Sequence, residues 1–271
     1  MAPVLFRAFM TVTITTAIIC FFVFDGGFDR AFTETGLKHY AERASPLLKT
    51  VLPKWLKMPL NTLVNFGYAI LGAYWLAVIF HHHGNNNISE IDAYAFYVFN
   101  FMACFYGPIQ MVRILTDKHR FAILDQWVTL PFFMWVYVWG RSLSNGWSNL
   151  RVFIATALSI SSYTLTLYYD IGFEIALGLH IMLGIAGAAL AYRKYSTTEA
   201  HKPFLCALLS CTGFVVLKLL DLHLPNIHPF FTKVSGHFLS KIADVLQIHY
   251  VNKFFRALTF KKVDCETKKS E

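Results

Sequence analysis

Near the C-terminal end of the chain, the stretch Gly236-His-Phe-Leu-Ser-Lys-Ile-Ala-Asp-Val-Leu-Gln-Ile-His249 sets His237, Lys241 and Asp244 at steps of four and three. In a helix those steps put an imidazole, an ammonium and a carboxylate on one face. Such a trio can pair internally, pass a proton or help to hold a cation. Further polar groups of the same kind stand inside apolar surroundings: Gln110 and Arg113 after Tyr106-Gly107-Pro108, Asp125 in Leu124-Asp-Gln-Trp-Val-Thr-Leu-Pro131, and Lys218 and Asp221 three residues apart. Lys218 and Asp221 share a helical face and can meet there. Arg113, Glu174 and His223 read as helix-end side chains whose tips snorkel outward.

The elements that must position these groups are set by composition. The 271 residues are 56% hydrophobic and only 15% charged, against about a quarter charged in a soluble domain. The apolar residues come in blocks, and about 20 of them are needed to cross a bilayer. Eight segments qualify, near 4–24, 59–80, 91–115, 121–140, 150–169, 171–192, 203–222 and 232–252, the last weakened by its polar stripe. The expected fold is an all-α membrane protein, a polytopic bundle of seven to eight transmembrane helices. Residues 1–25 form an N-terminal anchor helix, 26–58 a loop, 59–255 a seven-helix core and 256–271 a basic tail. A charge inside such a helix costs several kcal/mol unless it has a partner or a task, which makes Gln110, Asp125, Lys218, Asp221, His237, Lys241 and Asp244 an expected intramembrane cluster.

Other features are weaker. The first span is too long for a signal-peptide core and lacks an A-x-A-like cleavage site, so it reads as a retained anchor. The loop 25–58 reads as surface, with a short interfacial helix near 47–55. The five cysteines are odd in number and imply no disulfide framework. His81-His82-His83 sits in a polar linker without support for a metal. The net charge of +8 is scattered through loops and tail, which fits membrane flanks and no nucleic-acid partner. Gly178, Gly184 and Gly187 form a small-residue surface for helix packing. Ser159 to Thr166 is rich in hydroxyls with no adjacent base of its own, and Trp127, Trp135, Trp139, Tyr168 and Tyr169 suit either interfacial belts or packing.

Eight spans place both termini on one side. Arg193, Lys194, Lys202 and the basic tail favour a cytosolic tail. Lys268-Lys269-Ser270-Glu271 looks like a dilysine retrieval signal, which points to endoplasmic reticulum and Golgi membranes rather than the plasma membrane. The glycosylation sequon Asn87-Ile88-Ser89 lies on the same side as the tail, so the two cannot both be used, and the sequon is read as unused.

Met58-Pro-Leu-Asn-Thr-Leu-Val-Asn-Phe-Gly-Tyr68, Tyr106-Gly-Pro-Ile-Gln110, Leu124 to Pro131, Gly172 to Gly178, Gly213 to Lys218, and Gly236-His237 with Asp244 to Gln247 together resemble the transmembrane protein 187 family, in order and over nearly the whole chain. That resemblance implies a multi-pass membrane protein without an established activity. Asn61-Thr62-Leu63-Val64-Asn65 is also similar to the Asn-Thr-x-x-Asn pattern of alkaline ceramidases, which belong with adiponectin receptors to a seven-helix hydrolase superfamily. There, three histidines hold zinc. Position by position, that resemblance puts the family Asp on Asp125 and the first histidine of the last helix on His237. The Ser and His of the second core helix fall on Tyr106 and Gln110, and the last histidine is Lys241. Two of three zinc ligands are absent, and a protonated lysine repels the metal. The expectation is a non-catalytic or divergent member of a membrane hydrolase scaffold, with no cofactor. Lys241 would pair with Asp125 or Asp244 where a cation once stood. The alternatives are a lipid amide hydrolase with a zinc site rebuilt from His237, Asp125 and Asp244, or a lipid-binding or transport protein. Membrane lipid is the expected partner, with a ligand site in the helix core near Gln110 and Tyr106.

Overall fold

The computed structural model describes residues 1–43, 53, 56–85 and 87–270. The short interfacial helix expected over 47–55 falls outside the described residues. The elements are α1 (Ala2–Phe24), α2 (Pro59–Leu63), α3 (Phe66–Gly84), α4 (Glu90–Thr116), α5 (His119–Asn145), α6 (Asn149–Ser162, extended by a 3-10 segment Tyr163–Leu167), α7 (Gly172–Lys194), α8 (Thr198–Leu219), α9 (Leu224–Ile227) and α10 (Gly236–Ser270). No strand occurs among the described residues. Seven helical segments, with α2 and α3 counted together, are long and apolar enough to cross a membrane. The protein is a multi-pass helical bundle.

Local chemistry sets the helix boundaries. The Ser89 hydroxyl accepts from the Asp92 N–H at 3.1 Å and Ser148 accepts from that of Arg151 at 3.4 Å, capping α4 and α6. Asp117, at φ 53°, stops α4 in the left-handed conformation. The sequon hydroxyl is therefore already engaged, since Ser89 also donates to the Asp92 carboxylate at 2.6 Å. Two expectations change. His81, His82 and His83 are the last turn of α3 rather than a linker, with His83 buried and 3.2 Å from the Tyr97 hydroxyl. The basic tail continues α10 without a break at 255, giving a helix of 35 residues, about 52 Å long. Leu258 and Thr259 are buried, and Lys262 pairs with Asp92 of α4 at 3.0 Å, so this part of α10 is held by contacts that its charged sequence conceals.

Of the seven candidate spans, α5 is the most enclosed. It packs chiefly on α7, while α10 packs chiefly on α8 and α3 on α4. The α5–α7 contact depends on absent side chains, because a Cβ on Gly187 would lie 2.7 Å from the Tyr137 Cα, and one on Gly140 would collide with the Gly187 carbonyl. Gly184 also faces α5, whereas Gly178 has nothing within 4 Å. Deeper in the bundle, Asn100 and Asn252 exchange amide hydrogen bonds at 2.8 and 3.0 Å, both fully buried. Trp127, Trp135 and Trp139 are buried packing residues, while Tyr168 and Tyr169 are exposed.

Helix α1 lays Val4, Ala8, Val12, Ile19 and Val23 against the bundle. Residues 25–43 then fold across the end of the bundle opposite the tail. This is not a free surface loop, as the site below shows. For the α5–α7 contact, Gly187→Leu should destabilise the purified protein by about 1–3 kcal/mol or more, read as a fall in melting temperature, while Gly178→Leu should leave it unchanged. Equal melting temperatures for the two variants would contradict the packing described.

Candidate functional site

The polar residues converge at the capped end, where α2, α4, α5, α8 and α10 meet beneath residues 33–43. Their pairings differ from the sequence expectation. Arg113 is only 11% exposed at its side chain and forms a salt bridge with Asp125, whose side chain is 7% exposed. It does not snorkel, because the cap lies over it: Arg113 also donates to the Glu34 carbonyl at 3.0 Å. Arg113 and Asp125 stand at the end of one helix and the start of the next, so the tight α4–α5 turn brings them together.

The stripe of α10 faces α2, α3 and the cap. Lys241, 5% exposed, donates to the Asn65 side-chain carbonyl at 3.3 Å. Asp244 accepts from the Tyr68 hydroxyl at 2.6 Å. The half-buried His237 ring sits edge-on to Tyr40 with centroids 4.8 Å apart. The direct Lys241 pairing expected with Asp125 or Asp244 is thus replaced by an amide, since Arg113 and Tyr68 already hold the two carboxylates. Lys218 lies 5.7 Å over the Phe173 ring. Asp221 turns away from Lys218 to accept the backbone N–H groups of Ala41 and His237 at 2.9 and 2.8 Å. Glu174 and His223 are exposed at helix ends.

The Asn61-Thr62-Leu63-Val64-Asn65 segment spans the end of α2 and the start of α3. Thr62 bonds back to the Met58 carbonyl at 2.7 Å, and the Asn65 amide donates to the Asn61 carbonyl at 2.8 Å. This orients the Asn65 oxygen toward Lys241. Glu42 in turn accepts the N–H groups of Leu60 and Asn61 at 2.8 and 2.9 Å. Arg43 closes the other flank, its N–H donating to the Thr232 carbonyl at 2.8 Å. Burial pushes the Glu42 carboxyl above the usual carboxylate range, against the opposing pull of the backbone donors that it accepts.

The resulting cavity is about 30 Å³, lined by Tyr106, Gln110, Arg113, Asp125, Lys218 and Lys241 among others. That is room for a water or two. Gln110 Oε1 and Asp125 Oδ1 are buried on its wall without a protein partner. Among the described residues no three His, Cys, Asp or Glu side chains are arranged to hold a metal ion. His237, Asp125 and Asp244 do not assemble the rebuilt zinc site, and Lys241 and Arg113 bring positive charge where a metal would need donors. The aromatic and amide residues Asn65, Tyr68 and Tyr40 were not singled out from sequence for this site, although Asn65 and Tyr68 lie within a motif that was.

One further pairing joins distant segments. His180 Nε2 is 3.0 Å from the Ser159 hydroxyl and its Nδ1 is 2.7 Å from the Ala176 carbonyl, so the hydroxyl-rich run has a histidine after all. Both residues are buried and both ring nitrogens are satisfied. All five cysteines are free.

The family model described as the TMEM187 protein family matches residues 8–256. The chain belongs to the TMEM187 protein family. Transmembrane protein 187 of Homo sapiens is 39% identical to it over 248 residues, covering 92% of this chain and 91% of that protein. Transmembrane protein 187 of Bos taurus is 37% identical over 258 residues, covering 95% and 99%. No solved structure matches the chain. The TMEM187 match takes in α2 to α9 whole and α10 as far as residue 256, and so includes every residue lining the capped cavity.

The cap is predicted to depend on Glu42. Glu42→Ala should remove two charge-assisted hydrogen bonds and lower stability by about 2–4 kcal/mol, with hydrogen exchange rising first in residues 33–43 and 60–62. Uniform exchange across the bundle, or none, would show that Glu42 does not fasten this segment.

Proposed function

We propose that this multi-pass membrane protein works without metal hydrolase chemistry, and that its intramembrane polar cluster is a fastening that sets helix order and holds the cap closed. The observation that supports this most directly is the Arg113–Asp125 salt bridge, with Arg113 also bound to the cap at Glu34. One cation neutralises the buried carboxylate and ties α4, α5 and the cap together. Lys241, bound to Asn65, supplies a second fastening between α10 and the start of α3. In this closed arrangement the cavity suits water at the Gln110 and Asp125 oxygens, with no space for an alkyl chain.

Removing one partner of a buried pair leaves an uncompensated charge and costs about 3–5 kcal/mol, whereas removing both costs much less. Arg113→Met and Asp125→Asn should therefore each lower the melting temperature of the purified protein. The double variant should recover most of the loss. Single variants as stable as the unmodified protein would rule out the fastening.

The finer location that we favour is the endoplasmic reticulum and Golgi. It is supported by the basic residues at the far end of α10, including Lys268 and Lys269, and by the positive charge of the loops on that side. Microscopy should show Lys268→Ser/Lys269→Ser moving toward the cell surface. An unchanged distribution would remove the retrieval reading and leave the fastening untouched.

A further inference from the structure

The capped cavity carries more positive charge than its walls compensate. Three cations line it, Arg113, Lys218 and Lys241, against the single carboxylate of Asp125. Arg113 takes that carboxylate. Lys241 donates to Asn65 and stands one turn from Asp244, which is held by Tyr68 and lies outside the lining. Lys218 has neither a carboxylate nor a hydrogen bond among the described residues, and its ammonium group lies 5.7 Å over the Phe173 ring. Asp221, the carboxylate that sequence spacing offers to Lys218, is occupied by the backbone N–H groups of Ala41 and His237.

An ammonium group drawn away from water without an anion is costly, and a ring face offsets only part of that cost. Lys218 enters the cavity from the last turn of α8, Gln110 and Arg113 enter from α4, and Lys241 enters from α10. Gln110 is 5% exposed and its side-chain oxygen has no protein partner, while its amide carries N–H donors as well. The space of about 30 Å³ has room for about two water molecules. A chloride ion takes about the room of one of them. The other, as water, can donate to the Gln110 and Asp125 oxygens.

We propose that the capped cavity binds one halide ion, chloride in the cell, beside the Lys218 ammonium group, with Lys241 adding to the positive field and the Gln110 amide as a further donor. Size and charge choose the class. Sulfate, phosphate and carboxylates exceed the space, and a metal cation would meet three positive side chains. The ion links α8 to α4 and α10 through Lys218. This deepens the fastening reading and rests on it, because the Arg113–Asp125 pair is what leaves Lys218 without a carboxylate.

The full chain in detergent, prepared in sodium gluconate, can be titrated with sodium chloride and with sodium bromide at constant ionic strength. The melting temperature should rise and saturate with either halide, and should stay flat when sulfate replaces gluconate. Lys218→Met keeps the alkyl stem and removes the charge. It should be at least as stable as the unmodified protein in gluconate, and should weaken the apparent halide affinity about tenfold or more, as expected for losing one partner of a buried charge pair. If Lys218→Met does not fold, equilibrium binding of radioactive chloride to the unmodified protein decides: one ion per chain, displaced by bromide and not by sulfate, supports the site, and no binding overturns it. No response to halide, a rise that does not saturate, an equal rise with sulfate, or an unweakened response in Lys218→Met would also overturn the proposal. The fastening is read separately, from the Arg113 and Asp125 variants in gluconate alone.

Discussion

A carboxylate inside an apolar bundle must be protonated, paired or solvated, and each choice shapes what surrounds it. Here Asp125 is paired, and the partner is Arg113 from the preceding helix. A guanidinium has five donors, so pairing leaves it with more to place. The carbonyl of Glu34 takes one of them, which pulls residues 33–43 over the end of the bundle. Tyr40 then covers His237, Ala41 reaches Asp221, and Glu42 caps α2. The closed end of the molecule follows from satisfying one buried charge and then the groups exposed by satisfying it.

On the proposed reading, the same accounting sets the site apart from a metal centre. A zinc site requires three neutral or anionic donors converging on one point. This cluster has Gln110 and Lys241 at two of the positions where the hydrolase-like pattern puts histidines, and an arginine on the carboxylate. Positive charge is supplied covalently by the chain. Lys241 makes its hydrogen bond to the Asn65 side-chain carbonyl rather than to either carboxylate.

Much of the fold was legible because bilayer-length apolar runs need no tertiary information, and the order of spans followed from them. The convergence of Gln110, Asp125, Lys218, His237 and Lys241 on one cavity was legible from cost alone, since such residues seek company in hydrocarbon. Their partners were not. Arg113 lies at a helix end, where snorkelling and burial look alike until a segment 79 residues away covers it. Asp221 shares a helical face with Lys218, but two unpaired backbone N–H groups at the α10 start and the cap claim it first. Residues beyond 255 are too charged to announce a packed helix, and it is the Lys262–Asp92 contact and the burial of Leu258 and Thr259 that reveal one. The Ser159–His180 pair is separated by a turn and a change of helix, beyond the reach of any spacing rule.

The two ends of the molecule have different characters: one is capped over a water-sized cavity lined by charged and polar side chains, and the other has a larger cleft between α1 and α4. What separates this account from a working or rebuilt hydrolase is whether the sealed end carries a metal. Elemental analysis of the full chain, purified without chelators and with zinc supplied during expression, addresses that directly. The account predicts substoichiometric zinc that is unchanged in His237→Ala and a melting temperature insensitive to chelation. One tightly held zinc per chain, lost with His237, would contradict it.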